Sequence, residues 1–347
     1  MKTKLLIVLS FVICLSSFGQ ISLVKDLNPG SNRSTFDYSF TFKNKLYTEA
    51  TFDRKTRLIQ TDGTENGTKI LTFESLSFGT TVINEMEDYA DNYLIVGDSL
   101  YITAGKTLVV TDGETTKGVS VDASAFNSFK SIKNFAAYKG DIYFSADYRV
   151  FTPSFMNFSQ SLFKYDGKAI SKIKDITSGG GLFTKSKISN SQYLFFGGID
   201  NENGHELWRT DGTEAGTVLI KDIYPGTKSG LNFSLDHSII FNDVLYFVAD
   251  EGTNGKELWR SDGTEASTVS MIDTTASGDN NAFSSIGQKQ YQNQSALMTS
   301  ADKVLISAET ENDDLQLYLT DGTSEGTTLV TLINEFGDAF YNDGGPH

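Results

Sequence analysis

Apolar residues recur along this chain in short runs separated by polar turns, with no sustained helical spacing. The clearest stretch has an apolar strand A around Phe233–Phe241, a polar pair at Asn242-Asp243, and the run Val244–Ala249 as strand B. An acidic, Gly-containing loop leads to strand C, Glu257–Ser261. Asp262-Gly263 and strand D, Thr268–Ile272, complete the unit. Asp-Gly between apolar runs predicts an antiparallel hairpin, because Gly takes positive φ cheaply and Asp can accept hydrogen bonds from the turn amides. Strand B is continuously apolar, which predicts burial of both faces. A sandwich sheet keeps one face wet, whereas a blade packed between two others keeps none.

The same unit recurs. Asp-Gly stands at Asp62, Asp112, Asp166, Asp211, Asp262 and Asp321, at intervals of 50, 54, 45, 51 and 59 residues. A leucine precedes each Asp by four positions: Leu58, Leu108, Leu162, Leu207, Leu258 and Leu317. A second register ends each strand B in a small residue: Ala50, Ala104, Ala146, Gly197, Ala249 and Ala308. Four strands in roughly 50 residues match a propeller blade. The expected fold is therefore all-β, a β-propeller of six four-stranded blades, with an incomplete seven-bladed array as the alternative. The third Asp-Gly turn, Tyr165-Asp166-Gly167-Lys168, has the shortest connection and reads as a two-residue hairpin, whereas other copies add a Thr-x-x-Gly-Thr extension. Ile21–Leu27 with Asn28-Pro29-Gly30 reads as a strand D without its first three strands. It either pairs outside the last blade or points to a longer array.

Composition sharpens this picture. The 347 residues include 25 Phe, 15 Tyr and 31 Gly against 4 Pro, as many short strands and tight turns require. Residues 1–19 carry a basic start (Lys2, Lys4), an apolar run over Leu5–Leu15, and small residues at Ser17 and Gly19. They read as a cleaved secretory signal, too short to span a bilayer. Ile13 stands where a lipoprotein site would place a small residue before Cys14, so lipidation is not expected. Cleavage before Gln20 takes Lys plus Arg from 29 to 27 against 44 acids, and the formal charge from −15 to −17. The only Cys leaves with the signal, removing disulfides and thiol nucleophiles from consideration. An acidic chain without a Lys/Arg cluster does not suit nucleic acid. The domain reading is a signal peptide over 1–19, one propeller over 20–333 and a tail over 334–347. The chain is expected to be secreted or at the outer cell surface, without membrane insertion.

The fourth copy reads Glu206-Leu207-Trp208-Arg209-Thr210-Asp211-Gly212-Thr213-Glu214-Ala215-Gly216-Thr217, then Lys221-Asp222-Ile223-Tyr224-Pro225-Gly226. It resembles the ELWxTDGTxxGT…KDIxPG repeats of large exported bacterial surface proteins. The fifth copy keeps Glu257-Leu258-Trp259-Arg260-Ser261-Asp262-Gly263-Thr264, the first and sixth keep Thr-Asp-Gly-Thr, and the second and third keep little beyond Leu and Asp-Gly. The resemblance implies a propeller-like, extracellular, non-catalytic protein and supplies no catalytic residues.

In an A-B-C-D blade the A–B and C–D turns share one face, and the B–C and D–A connections share the other. The irregular segments Tyr148–Gln160 (B–C), Glu74–Asn92 and Asp273–Gln294 (both D–A) all fall on the second face. So do the acidic loops Asp200–Gly204, Asp250–Gly255 and Glu309–Asp314. Loops on a rigid scaffold are where binding resides. The candidate binding residues are Tyr148, Phe151 and Phe155 as aromatic surface, with Asp200, Glu202, Asp250, Glu251, Glu311 and Asp313 as acids. Asp200-Asn201-Glu202-Asn203-Gly204 places oxygens at alternate positions, but no twelve-residue loop ending in Glu follows. No cofactor or metal is expected, with calcium the alternative. His205 is expected at an exposed hairpin end, and His237 in strand A lacks equivalents. The chain carries no nucleophile elbow, His-Glu-x-x-His or phosphate loop. The leading expectation is a non-catalytic exported propeller that binds a glycan or protein partner through the B–C/D–A face. The alternatives are a carbohydrate-active hydrolase with paired carboxylates and a structural part of a larger adhesin.

Overall fold

The computed structural model describes residues 24–25, 35–52, 55–75, 79–82, 93–104, 107–120, 129–151, 156–178, 182–231, 235, 238–253, 256–271, 297–299, 302–309, 315–323 and 326–330. The signal segment, the tail, the connection 273–294 and His237 lie outside them. Two compact units divide the chain. One is Met1–Lys185 with Ile199–Asn201 and Gly212–Thr217; the other is Ser186–Gly198 with Glu202–Asp211 and Val218–His347.

The fold is all-β and propeller-like, a succession of six sheets built as antiparallel meanders. Sheet one is β1 (Thr35–Phe42), β2 (Lys45–Phe52), β3 (Lys55–Thr61) and β4 (Lys69–Ile70). Sheet three is β11 (Phe129–Tyr138), β12 (Asp141–Phe151), β13 (Met156–Tyr165) and β14 (Ile170–Ser178). Sheet four is β15 (Leu182–Ser189), β16 (Leu194–Asp200), β17 (Gly204–Thr210) and β18 (Val218–Lys221). Sheet five is β19 (Ile239–Phe241), β20 (Val244–Asp250), β21 (Lys256–Ser261) and β22 (Val269–Ser270). Sheet six is β23 (Leu297–Thr299), β24 (Val304–Glu309), β25 (Leu315–Thr320) and β26 (Thr328–Val330). In these five sheets each strand pairs with the next in sequence. In sheet five strand A is cut to three residues by comparison with the sequence reading.

Sheet two departs from the four-strand expectation. Its own meander is β7 (Tyr93–Val96), β8 (Ser99–Ala104), β9 (Thr107–Thr111) and β10 (Thr116–Ser120). Two further strands, β5 (Thr72–Ser75) and β6 (Gly79–Val82), extend it to six in the order β6-β5-β10-β9-β8-β7. β5 lies parallel to β10, with Lys117 opposite Glu74. Part of the segment 74–92, read from sequence as an irregular D–A connection, is therefore a hairpin covering the outer edge of sheet two. Pairing satisfies the backbone groups such an edge would leave open.

The buried-strand expectation holds most clearly in sheets three and four, where residues 142–146 and 194–198 are buried without interruption. The recurring leucines are core: Leu58, Leu108, Leu162, Leu207 and Leu258 are each 0% exposed. The small residues that end strand B are buried too, at Ala50, Ala146 and Ala249. Within each unit apolar clusters fill the space between neighbouring sheets. Leu108 and Val110 of β9 pack with Ile132, Phe144 and Phe163 of sheet three. Phe195 and Leu207 of sheet four pack with Leu245, Phe247 and Trp259 of sheet five.

All six Asp-Gly glycines have positive φ, from 88° at Gly167 to 100° at Gly263 and Gly322. The aspartates act as the turn reading requires. Asp62 Oδ1 accepts the Thr64 amide at 2.9 Å, Asp112 Oδ1 the Glu114 and Thr115 amides at 2.9 and 2.7 Å, and Asp321 Oδ1 the Thr323 amide at 2.9 Å. The third turn is short, with the Asp166 amide bonded to the Ala169 carbonyl at 3.3 Å, but the second is equally short, pairing Asp112 with Thr115.

Such hydrogen bonds, from the Thr64 hydroxyl and amide to Asp62, the Thr115 and Glu114 amides to Asp112, the Ala169 and Lys168 amides to Asp166, and the Thr323 amide and hydroxyl to Asp321, hold these carboxyls below the ordinary aspartate range, Asp112 at about 2. A lowered folded-state pKa gives stability that is present above the unfolded value and lost as pH falls through the folded one. The melting temperature is therefore expected to drop between about pH 4 and pH 2, and Asp112→Asn to flatten that limb. Thermal melts across this range check it. An acid limb that is unchanged when Asp112 and Asp321 are both replaced would contradict this assignment.

Candidate binding face

The turns of the second unit segregate as the meander topology demands. Asn190 and Ser191, in the A–B turn of sheet four, bond Asp243, in the A–B turn of sheet five. The Asn190 amide nitrogen donates to the Asp243 carbonyl, and the Ser191 amide to Asp243 Oδ1, both at 2.8 Å. Tyr193 lies over the Gly263 turn of sheet five and carries the Arg209 guanidinium 4.0 Å from its ring centre. This is the face of A–B and C–D turns.

On the other side, the B–C turns meet the D–A loop Asp222–Leu231. The Leu231 amide donates to the His205 carbonyl at 2.9 Å, and the His205 amide to Ser229 Oγ at 3.2 Å. A Cβ at Gly204 would fall 2.1 Å from the Lys228 carbonyl oxygen, so loop and β17 touch backbone to backbone. The Asp250 amide donates to the Gly230 carbonyl at 2.9 Å, and the Asp250 carboxylate accepts the Gly252 amide at 2.6 Å. The Tyr224 ring lies flat against Gly252, where a Cβ would sit 2.2 Å from Cζ. Lys228 Nζ donates to the Tyr224 hydroxyl at 2.8 Å, which accounts for its 4.8 Å separation from the ring centre. That bond raises the Lys228 pKa.

Glu206 holds this loop in place. Its side chain is 0% exposed. Oε1 accepts the amides of Gly230 at 2.6 Å and Tyr224 at 3.3 Å, and Oε2 accepts that of Ile223 at 3.2 Å. Asp222 adds a bond within the loop, its Oδ2 accepting the Gly226 amide at 3.0 Å. Burial raises the Glu206 pKa to about 7 against the opposing effect of the three amides, and the Asp222 charge raises it further. A carboxyl near neutrality can serve as a general acid. Glu206 cannot reach a substrate in this arrangement, because it is sealed beneath the loop with both oxygens engaged.

The residues singled out from sequence are distributed over both units. Asp250 and Glu251 lie beside the D–A loop, and Glu202 is exposed on the turn before Gly204. Asp200 ends β16 in a half-buried position. Tyr148 and Phe151 belong to the first unit. They do not sit in an irregular insertion, because β12 and β13 continue as a regular ladder with Tyr148 opposite Ser159 and Phe151 opposite Met156. Aromatic and β-branched residues at 148–151 suit an extended strand, so the B–C segment there is a long hairpin. Phe155, Glu311 and Asp313 lie outside the described residues. His205 is half-buried, with Nε2 lacking a partner among the described residues and its pKa lowered by burial, which corrects its expected exposure. No group of three or more His, Cys, Asp or Glu among the described residues could hold a metal ion, and none of their helices is long and apolar enough to cross a membrane.

No family model and no curated protein matches this chain. Solved structures do. A Mycobacterium tuberculosis puromycin-hydrolyzing peptidase aligns at 10% identity over 86% of this chain and 53% of its own length, with a TM-score of 0.34. A putative TolB from Agrobacterium tumefaciens aligns at 12% identity over 74% of this chain and 86% of its own, also at 0.34. A luciferin-regenerating enzyme aligns at 8% identity over 80% and 88%, at 0.36. The chain thus spans about half the length of the peptidase. No activity is carried over from similarities of this size.

Tyr224, Lys228 and Glu206 are not among the residues singled out from sequence. The signal for Glu206 was present in the repeated Glu-Leu-Trp, whose Glu alternates with a core Leu and therefore faces the neighbouring loop.

Proposed function

We propose that this is an exported, non-catalytic propeller of six blades that binds an extracellular glycan or protein partner through its B–C/D–A loops. The observation that carries the reading is the organised loop cluster of the second unit, in which Glu206 fixes 222–231 from beneath while Tyr224, Lys228 and Asp250 stand at its rim. A preformed face saves the entropy of ordering loops on binding. The ELWxTDGTxxGT resemblance and the signal-like residues 1–19 support an extracellular setting.

The test is a binding screen of residues 20–347 against glycan and protein arrays, followed by the Tyr224→Ala/Lys228→Ala double variant. Loss of a ring and a charge from a contact surface is expected to weaken binding at least about tenfold. Retained affinity in that variant would place the contact elsewhere, and the hairpin Phe151–Met156 would be the next segment to replace.

A further inference from the structure

Glu206 and Asp222 present an unusual combination. Glu206 is fully buried, and among the described residues its hydrogen-bond partners are three backbone amides and no cation. Asp222, at the start of the same loop, has a buried Oδ1 without a partner among the described residues. A buried carboxyl thus stands beside a half-buried one whose charge opposes its ionisation, with no basic side chain among the hydrogen-bond partners of the inner one. Burial without a counter-charge disfavours the ionised form, and a like charge disfavours it again.

We propose that Glu206 and Asp222 form a proton-operated latch that keeps loop 222–231 closed at mildly acidic pH and releases it at mildly alkaline pH. In the closed state Glu206 is neutral. Oε1 still accepts from Gly230 and Tyr224, and a protonated Oε2 keeps a lone pair for the Ile223 amide. When pH rises, Glu206 gives its proton to solvent and becomes a buried anion beside Asp222. Lifting the loop returns both carboxylates to water. The same movement breaks the Gly230–Asp250 bond and takes Tyr224 away from Gly252, so the rim of the face is dismantled with the latch.

The other titratable groups around the loop do not supply the missing charge. His205 precedes Glu206 on β17, and burial lowers its pKa and so disfavours its charged form. Lys228 is exposed and bonded to Tyr224. Asp250 closes β20 and bonds Gly252, and burial lowers the pKa of Lys256 at the start of β21. The sign follows from a raised carboxyl pKa. Loop stability is complete below the ordinary glutamate range near 4.5 and is lost as pH rises through about 7.

Control of ligand binding by this latch rests on the function proposed above; closure of the loop does not. The test needs no ligand. Amide hydrogen exchange of residues 20–347 is followed by mass spectrometry from pH 6 to pH 8, with intrinsic rates removed and the β20 peptide as reference. Protection over 222–231 is expected to fall about tenfold across that range and to level off above it, since the open population grows about tenfold per pH unit between the open-state and closed-state pKa values and no further beyond the second. Glu206→Gln should abolish the pH dependence. Asp222→Asn, which removes only the like charge, should move the transition to lower pH and serves if Glu206→Gln does not fold. Flat protection in the wild type overturns the latch, as does an unshifted transition in Asp222→Asn. A functioning latch in a protein that binds nothing on the arrays would refute the binding reading alone.

Discussion

Gly322→Ala is expected to destabilise the protein by roughly 2–4 kcal/mol, combining left-handed backbone strain with overpacking. Gly322 has φ of 100°, and a Cβ there would lie 2.4 Å from the Tyr246 hydroxyl oxygen but 3.7 Å from its Cζ. Those two distances separate the two contributions. Tyr246→Phe removes the atom in conflict and leaves the next one at ordinary contact distance. In the alanine background it should therefore recover about 1–2 kcal/mol, the overpacking share, and leave the backbone strain. Thermal or urea melts of the four proteins in a double-mutant cycle measure this. Additive effects would show that Tyr246 and the turn do not meet.

Trp259→Ala should cost about 3–5 kcal/mol, the range for removing a large buried aromatic. Trp259 is 3% exposed and sits among Phe195, Leu207, Leu245 and Phe247, where it joins sheets four and five. Lys221 Nζ stands 5.5 Å from its ring while donating to the Thr268 carbonyl at 2.9 Å, so the cavity would also loosen that contact. Trp259→Phe separates size from polarity. The indole Nε1 has no hydrogen-bond partner among the described residues. Phe removes this buried unsatisfied donor, which offsets part of the lost volume, and the expected cost is below about 1.5 kcal/mol. Equal losses in the two variants would mean that the indole N–H is paired.

Strand positions B and C, the leucine register and the six positive-φ turns were legible because each is a local decision. An apolar run, a turn dipeptide and a fixed offset suffice. The added strands of sheet two were not legible, since Thr72–Ser75 joins Thr116–Ser120 in parallel and nothing in Thr-Phe-Glu-Ser announces a partner over forty residues away. The segment after Tyr148 was misread as irregular because a long hairpin and an insertion give the same excess of residues. The face assignment rested on topology and needed no side-chain knowledge. The residues proposed to work there required three dimensions: Tyr224 and Lys228 follow a conventional turn motif, and only the packing of Tyr224 against Gly252 ties them to the B–C turn.

Lys221 to Thr268 has counterparts. Lys174 Nζ donates to the Thr217 carbonyl at 2.7 Å, and Lys25 Nζ to the Thr68 carbonyl at 2.9 Å. The sequence separations are 47, 43 and 43 residues, close to one repeat. Each such repeat carries a donor at its trailing end and an acceptor in its turn, making a head-to-tail joint. Duplicating or excising a whole repeat copies or removes both halves together. Excision of the repeat that holds Thr217 and Lys221 would offer Lys174 the carbonyl at Thr268. Gene duplication could thus lengthen or shorten such a chain without inventing a new contact, whereas a cut inside a repeat would strand one half of a joint.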